Sequence, residues 1–336
     1  MKAPGKVQIT VWSLGLAGAA LFTFLLIRQG ASQVVMAFAA AGWAIAAVVI
    51  YHFVVPVVLD AIAWQVLFPK PDRLPLRKLL WIRWIGESVS TLVPSAAVGG
   101  DIIRARLAAI NGAPMPVAAG TVLVDITLGV LTQAGFTVLG VALLVDVTGQ
   151  KNFVRPTLVG TLIGVLGVAG FYFVQRLGMF RFLARTIARL ANSPEWHSLV
   201  QSGETLDRTV RTLYARRHAL VMCCVWTSIS LIGGSGEIWI ALYALNLHAT
   251  FVNALILQSM VLTIRSAAFA VPGGLGVQEG GYLFVGNLLG IPGDAAFAIS
   301  LIARVRELAL GIPGLISWQV IEARRLLRAR VAAMAR

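Results

Sequence analysis

Long apolar runs constrain this 336-residue chain more than any other feature. Six of them are close to or above the roughly 20 residues that a helix needs to cross a bilayer. Only 12% of the residues are charged and 58% are apolar, which is unusual for a water-soluble domain. We therefore predict an all-α, polytopic membrane protein, a single integral membrane domain over residues 1–336 with about six transmembrane helices. The runs are Ile9 to Ile27, Ala41 to Phe68, Ala118 to Val145, Pro156 to Val174, Ala219 to Leu247 and Ala295 to Val320.

Two other apolar stretches, Leu79 to Ile110 and Phe251 to Leu289, are interrupted by proline, glycine and charged residues. Backbone that leaves helical geometry at membrane depth must be buried in protein or line a hydrated cavity, because lipid cannot satisfy its hydrogen bonds. Each stretch therefore predicts a re-entrant pair of half-helices that enters and leaves the membrane on one side.

The two interrupted stretches share one pattern. Each contains Val-Pro, then glycines, then an acid, then a second proline; proline to acid is seven residues in both, and acid to the second proline is thirteen. Three crossing helices separate the two units, an odd number, so the units enter from opposite faces. This predicts an inverted repeat, with unit 1 over residues 79–147 and unit 2 over residues 251–320, an architecture typical of secondary transporters. The pattern residues are Val93, Pro94, Gly99, Gly100, Asp101 and Pro114 in unit 1, and Val271, Pro272, Gly273, Gly274, Gly276, Glu279 and Pro292 in unit 2.

The net charge of +14 is explained by topology. With a cytoplasmic N-terminus, 22 of the 28 lysines and arginines fall in cytoplasmic segments, as the positive-inside rule requires. Both termini are then cytoplasmic, and nucleic acid is not expected as a partner. Residues 178–217 alternate basic and apolar positions, which predicts amphipathic helices in the cytoplasmic interface.

Charged residues in apolar segments are the candidate functional residues, since a charge at the bilayer centre costs about 2.5 to 3.5 kcal/mol on insertion scales. Seven of the fourteen carboxylates lie there: Asp60, Glu87, Asp101, Asp125, Glu237, Glu279 and Glu307. Structural interpretations stay open for several. Asp101 with Arg104, and Arg304 with Glu307, have the spacing of ion pairs within one helix, and Asp101 or Glu279 can cap a half-helix.

Other chemistry is disfavoured. Cys223 and Cys224 are adjacent in an apolar run, the four histidines are scattered, and the glycines of unit 2 do not have the spacing of a nucleotide-binding loop. We predict no metal and no cofactor. The glycines instead predict a tight turn whose free N–H groups, at a half-helix N-terminus, suit an anionic headgroup. Gly233, Gly234 and Gly236 predict either a hinge or close packing in the fifth crossing helix.

The motifs Gly86-Glu87-Ser88, Val93-Pro94, Gly99-Gly100-Asp101, Arg104 and Pro272-Gly273-Gly274-Leu275-Gly276 resemble the flippase-like membrane domain family of lysylphosphatidylglycerol synthases. More closely, they resemble its stand-alone branch, the hopanoid-biosynthesis-associated membrane proteins. Asp101 departs from the glutamate expected in many relatives, which keeps the carboxylate but shortens its reach. Because the chain ends at Arg336, the resemblance implies lipid translocation without a lysyl-transferase domain.

The sequence therefore predicts a bacterial inner-membrane protein that moves a polar or hopanoid-type lipid between leaflets and is not an enzyme. Arg104, Arg265 and the half-helix N-termini would receive the headgroup, while Glu87, Asp125 and Glu279 would bind hydroxyl or amine groups or exchange protons. The full set of candidate residues is Glu87, Ser88, Pro94, Gly99, Gly100, Asp101, Arg104, Asp125, Arg265, Pro272, Gly273, Gly274, Gly276, Glu279, Arg304 and Glu307.

The predicted partners are membrane lipids. Association with lipid-biosynthesis enzymes and a homo-oligomer stay open. Two other functions also stay open, an integral-membrane enzyme that modifies a lipid headgroup and a non-transporting partner in a lipid-synthesis complex. The identity of the lipid and the coupling ion do not follow from the sequence.

Overall fold

The computed structural model describes residues 42–93, 98–149, 151–177, 179, 196–247, 249–268 and 271–334, and these residues are helical apart from short connections. The predicted first crossing helix, Ile9 to Ile27, and Pro94 lie outside them. The helices are α1 (Trp43–Leu67), α2 (Leu76–Leu92), α3 (Val98–Ile110), α4 (Met115–Thr148), α5 (Val154–Leu177), α6 (Trp196–Ala215), α7 (Arg217–Ala244), α8 (Phe251–Ala267), α9 (Val277–Leu288) and α10 (Gly293–Met334). Short 3-10 turns lie at Lys70–Asp72, Lys151–Phe153 and Pro272–Gly274.

Four of the described helices, α1, α4, α5 and α7, are long and apolar enough to cross a membrane. They coincide with four of the six predicted runs, so the chain is a multi-pass membrane protein. The predicted run Ala295 to Val320 is helical as part of α10, but Arg304, Arg306 and Glu307 lie within it and it is not among the four. The total of six stays a prediction.

Each interrupted stretch forms two helices of at most 17 residues, shorter than the four candidate membrane-crossing helices. α2 and α3 have 17 and 13 residues, and α8 and α9 have 17 and 12. The interpretation of Asp101 as the cap of a helix beginning at Ile102 is wrong, because α3 begins at Val98 and places Gly99 and Gly100 inside its first turn. Gly100 has a packing role instead: a Cβ there would lie 2.1 Å from the carbonyl oxygen of Gly86, so α2 and α3 contact each other backbone to backbone.

The two units make equivalent contacts. α2 packs on α3 and α10, whereas α8 packs on α9 and α4; within the units, α3 packs on α4 and α9 packs on α10. The last helix of each unit thus packs on the first helix of the other. Gly112 and Gly290 both adopt positive φ, 113° and 72°, two residues before the proline that precedes the next helix. Orientation relative to the bilayer stays a prediction.

α1 and α7 are packed closely along a glycine face, and α7 is continuous through Gly233 to Gly236, so of the two predicted interpretations the structure favours close packing over a hinge. A Cβ on Gly236 would lie 2.2 Å from the Tyr51 hydroxyl, which donates a hydrogen bond of 2.9 Å to the Gly233 carbonyl. α1 contains a π-helical turn at Phe53–Val57 around Pro56. Ser230 of α7 donates to the Pro56 carbonyl at 3.2 Å and so links α7 to this turn.

Residues 178–217 include α6, which packs on α4 and α5 through a buried face that contains Val210 and Leu213. The other amphipathic segment predicted there lies outside the described residues, and the interfacial position stays a prediction. Arg216, just after α6, donates to the Leu67 carbonyl at 2.6 Å and so satisfies the C-terminal end of α1.

Candidate functional site

The interior of the bundle contains a cavity of about 470 Å³, within the range of small-molecule sites. Its walls come from α1 to α4 and from α7 to α10. Three helices that start from different parts of the sequence each contribute residues spaced by four, which lie on one face of a helix. These are His52, Pro56 and Asp60 of α1, Arg83, Glu87 and Thr91 of α2, and Asp125, Gly129 and Gln133 of α4.

A first ion network joins α1, α2, α3 and α4. Arg83 donates to Asp60 and to Asp125, both at 2.8 Å. Arg104 donates to Asp101 at 3.0 Å and to Asp125 at 2.6 Å, and its guanidinium lies 4.4 Å from the centre of the Trp64 ring. The predicted pairing of Asp101 with Arg104 is therefore present. Asp125 accepts from both guanidiniums, so it holds α2 and α3 against α4.

A second network joins the glycine turn of unit 2 to α10. Arg304 donates to Glu279 at 2.7 Å and to Glu307 at 2.8 Å, which contains the predicted pairing of Arg304 with Glu307. It also donates to the carbonyls of Gly273 and Gly274, at 2.6 and 3.0 Å. This network fixes the turn, in which Gly273, Gly274 and Gly276 have positive φ values of 63°, 59° and 76°.

Arg265 completes the second network. It donates to Gln278 at 2.8 Å and also to Glu307, so it links α8 to α9 and α10. Glu307 thereby accepts hydrogen bonds from Arg265 and Arg304 and lies 3.6 Å from Arg306.

A third cluster lies between α1, α2, α7 and α10. His52 is 3.0 Å from Glu237 through Nδ1 and 3.0 Å from Glu87 through Nε2. Arg306 contacts the same imidazole and lies 3.4 Å from Glu237. Glu87 is the most accessible member, with 39% of its side chain exposed, whereas Glu237 is buried.

All seven carboxylates predicted to be intramembrane belong to these networks, and each contacts an arginine or His52. Five guanidiniums, from Arg83, Arg104, Arg265, Arg304 and Arg306, face them. A buried charge is tolerated only when it is paired and hydrogen-bonded, so the networks explain how these residues remain charged in an apolar bundle.

Several predicted site residues do not face the cavity. Glu279 is fully buried and accepts a 2.7 Å hydrogen bond from the backbone N–H of Gly276, which caps α9. At the half-helix N-terminus of unit 2, the N–H of Gly276 is therefore bound by the chain's own carboxylate. Headgroup binding by the half-helix N-termini stays a prediction. The capping interpretation of Glu279 is confirmed.

Ser88 and Gly100 also have packing roles. Ser88 donates to the Trp84 carbonyl at 2.8 Å. Its side chain packs directly against Gly314, where a Cβ would collide with it, so α2 and α10 approach each other closely at this point. The residues that line the cavity from the predicted set are Glu87, Asp101, Arg104, Asp125, Arg265 and Glu307.

Three central residues of these networks, His52, Arg83 and Arg306, are not among the candidates that the sequence indicates, whereas Glu237 is. The scattered positions of the four histidines do not single out His52, and Arg83 falls in a segment that the positive-inside rule assigns to the cytoplasm. The feature of the sequence that indicates these residues is the spacing of four from His52 to Asp60 and from Arg83 to Glu87, because polar residues confined to one face of an apolar helix face a protein interior.

Among the described residues, no group of three His, Cys, Asp or Glu side chains is arranged to hold a metal ion.

A family model described as the lysylphosphatidylglycerol synthase TM region matches residues 11–314. The chain belongs to this family. No curated protein and no solved structure matches the chain. The matched range contains unit 1, unit 2 as far as residue 314, and every charged residue of the cavity. Family membership places the chain among membrane proteins that handle lipids. The resemblance to the hopanoid-associated branch stays a prediction.

Proposed function

We propose that this protein moves an amphiphilic lipid between the two leaflets of the membrane, with the headgroup in the central cavity and the tail in the bilayer. The observation that carries the proposal is the two-sided lining of one continuous cavity. Its charged side consists of the networks around Arg83, Glu87 and Arg306. Its apolar side consists of side chains from α4, α7 and α8, namely Ile126, Val130, Leu231, Val261 and Leu262.

The apolar side gives the tail a way out of the bundle. Val130 lines the cavity and is 45% exposed, and its neighbour Leu131 is 44% exposed, so α4 presents apolar surface both inward and outward at this level. Gly129 also lines the cavity, and the position that a Cβ would occupy there is open space. A chain that follows Gly129 and Val130 remains in contact with apolar groups while the headgroup stays among charges.

The pairing of the charges favours headgroups that donate hydrogen bonds. Every guanidinium that lines the cavity already has a carboxylate partner, so an anion must displace that partner before it can bind Arg104 or Arg265. Carboxylates outnumber guanidiniums, and those with exposed side chains, Glu87 at 39% and Asp101 at 29%, can accept from hydroxyl or amine groups. A polar lipid with such groups, including a hopanoid-type lipid, fits this lining.

The repeat supports transport rather than static binding. The last helix of each unit packs on the first helix of the other, as in two units related by a two-fold axis, and the cavity lies at their junction. Inverted repeats of this kind allow the access to a central site to alternate between the two sides of the membrane.

The test is to block the proposed tail path without touching a charge. In Gly129→Trp, the indole fills open space beside the cavity, so we expect a folded protein whose lipid movement falls to the level of protein-free vesicles. The matched control is Gly135→Trp, on the same helix, which also has open space around it but does not line the cavity. Lipid movement is measured with fluorescent headgroup-bearing lipids and an impermeant quencher in reconstituted vesicles.

Equal transport by Gly129→Trp and wild type would contradict the proposed path. If neither wild type nor Gly135→Trp moves any lipid, the transport function itself is wrong. Conversion of a labelled lipid into a new product in detergent would identify the protein as an enzyme instead.

A further inference from the structure

His52 occupies an unusual position between two carboxylates from different helices. Its Nδ1 lies 3.0 Å from Glu237 and its Nε2 lies 3.0 Å from Glu87. A neutral imidazole carries one N–H, so its other nitrogen presents a lone pair that repels a carboxylate oxygen. With a neutral imidazole and two ionised carboxylates, only one of the two contacts can be a hydrogen bond. Both contacts become hydrogen bonds when the three side chains together hold one additional proton.

Arg306 provides the partner for the other protonation state. Its Nη1 lies within hydrogen-bonding distance of both ring nitrogens, with 3.1 Å to Nε2. When the extra proton leaves, the nitrogen that loses it can accept from Arg306, whose Nη1 lies 2.5 Å from Nδ1 and 3.1 Å from Nε2, while the other nitrogen continues to donate to its carboxylate. The cluster is neutral with the proton and carries one negative charge without it, and both states have hydrogen-bond partners.

Other groups near the cluster do not compete for this proton. The charged and titratable residues that face it are Arg83 on α2, Tyr51 on α1, Tyr282 on α9 and Glu307 on α10. A guanidinium remains protonated, the tyrosines are neutral in their ordinary state, and Glu307 is held by arginines. The imidazole is therefore the group of this cluster suited to change its charge.

The proton has a route from the cavity. Glu87 lines the cavity and exposes 39% of its side chain, whereas the side chains of His52 and Glu237 expose 11% and 8%. Water in the cavity can reach the Glu87 carboxylate, which is in contact with Nε2. Directly after His52, the π-helical turn Phe53–Val57 departs from regular α-helical geometry, and such turns are frequent at functional sites.

We propose that His52 binds and releases the proton that drives lipid movement, a step that rests on the proposed function. The proton passes from cavity water through Glu87 to Nε2, where an N–H bond forms and links α1 to both α2 and α7. On release, the proton returns through Glu87, and Nε2 accepts from Arg306 of α10. The exchange of partner at Nε2 thus changes which helices are connected around the cavity.

The experiment measures lipid distribution in reconstituted vesicles under a pH gradient, with the membrane potential clamped by valinomycin and potassium. Wild type is expected to accumulate lipid in one leaflet, up to about tenfold per pH unit if one proton moves per lipid. His52→Gln is expected to move lipid more slowly and without any response to the gradient. The control His218→Gln, which changes an exposed histidine at the start of α7, is expected to keep the response.

The outcomes separate the two proposals. If wild-type transport is the same with and without the pH gradient, the proposed proton site is wrong, but the proposal of lipid movement is not affected. The same holds if the His52→Gln protein still responds to the pH gradient. If wild type moves no lipid under any condition, the proposed function fails instead.

A second measurement decides the proton site even if His52→Gln does not fold. In a variant with His197, His218 and His248 replaced by glutamine, His52 is the remaining histidine of the four. Its ¹⁵N-labelled ring is expected to change between imidazolium and neutral forms as the pH is raised from about 5 to about 10. A ring that holds one form over this range overturns the proposal.

Discussion

Arg104 illustrates how single residues hold the cavity together. It is 5% exposed, it contacts Asp101, Asp125 and the Trp64 ring, and its Nε has no partner among the described atoms. Such a side chain is expensive to bury alone. Its removal takes the guanidinium away from Asp101 and leaves Asp125 paired with Arg83. Because Arg104 is already paired with Asp101 and Asp125, an anionic headgroup must compete with these carboxylates to bind it.

We therefore expect Arg104→Gln to lower stability by about 3 kcal/mol, the lower end of the range for breaking a buried ion pair, because Asp125 keeps Arg83 as a partner. The matched control is Arg106→Gln on the same helix, whose pair with Glu322 is half exposed and is expected to contribute at most about 1 kcal/mol. Thermal unfolding of the purified proteins in detergent measures both. Equal effects of the two substitutions would show that the Arg104 network does not stabilise the fold.

At the scale of elements, the contact between α2 and α3 places the charges of both helices on one wall of the cavity. Gly86 and Gly100 allow this contact: a Cβ on Gly100 would lie 2.1 Å from the Gly86 carbonyl oxygen and from Ser90, and a Cβ on Gly86 would lie 2.4 Å from Arg104. The backbone cannot yield to such contacts, so even one added carbon must separate the helices.

Gly100→Ala is expected to destabilise the protein by about 1 to 3 kcal/mol through this overpacking. The same substitution at Gly135, which is helical, exposed and in open space, is expected to be neutral or to stabilise by up to about 1 kcal/mol. Unfolding temperatures in detergent and limited proteolysis report the difference. A Gly100→Ala protein as stable as Gly135→Ala would mean that α2 and α3 are not packed as described.

At the scale of the whole molecule, two units of similar sequence pattern enclose one cavity. The equivalent contacts of α2 to α4 and of α8 to α10, together with the turn glycines Gly112 and Gly290, are what duplicated units would retain. That the two units have opposite orientations in the membrane stays a prediction, which the following experiment tests.

The inverted repeat predicts that the starts of α4 and α10 face opposite sides of the membrane. In a background with Cys223 and Cys224 changed to alanine, Asp294→Cys is expected to react with an impermeant maleimide in intact cells. Met115→Cys, at the corresponding end of unit 1, is expected to react only after the cells are permeabilised, because the positive-inside rule places it in the cytoplasm. Reaction of both from the same side would rule out the inverted arrangement.

The sequence by itself determined the class of protein and indicated which carboxylates lie in apolar segments and pair with a cation. Apolar runs such as Ala118 to Val145 cross a membrane by length alone, and the acids in such runs must find partners because lipid offers none. Local spacing also sufficed for the pair of Asp101 with Arg104, since residues three apart share a helix face.

Only the tertiary structure decided which of these residues act together. Glu279 caps its own helix, whereas His52, Glu87, Glu237 and Arg306 meet from four helices separated by up to 254 positions along the chain. Such meetings depend on how helices pack, and local spacing carries no information about contacts between distant segments. The sequence thus specified that charges would be buried in the membrane, and helix packing specified the cavity and proton-binding geometry that they form.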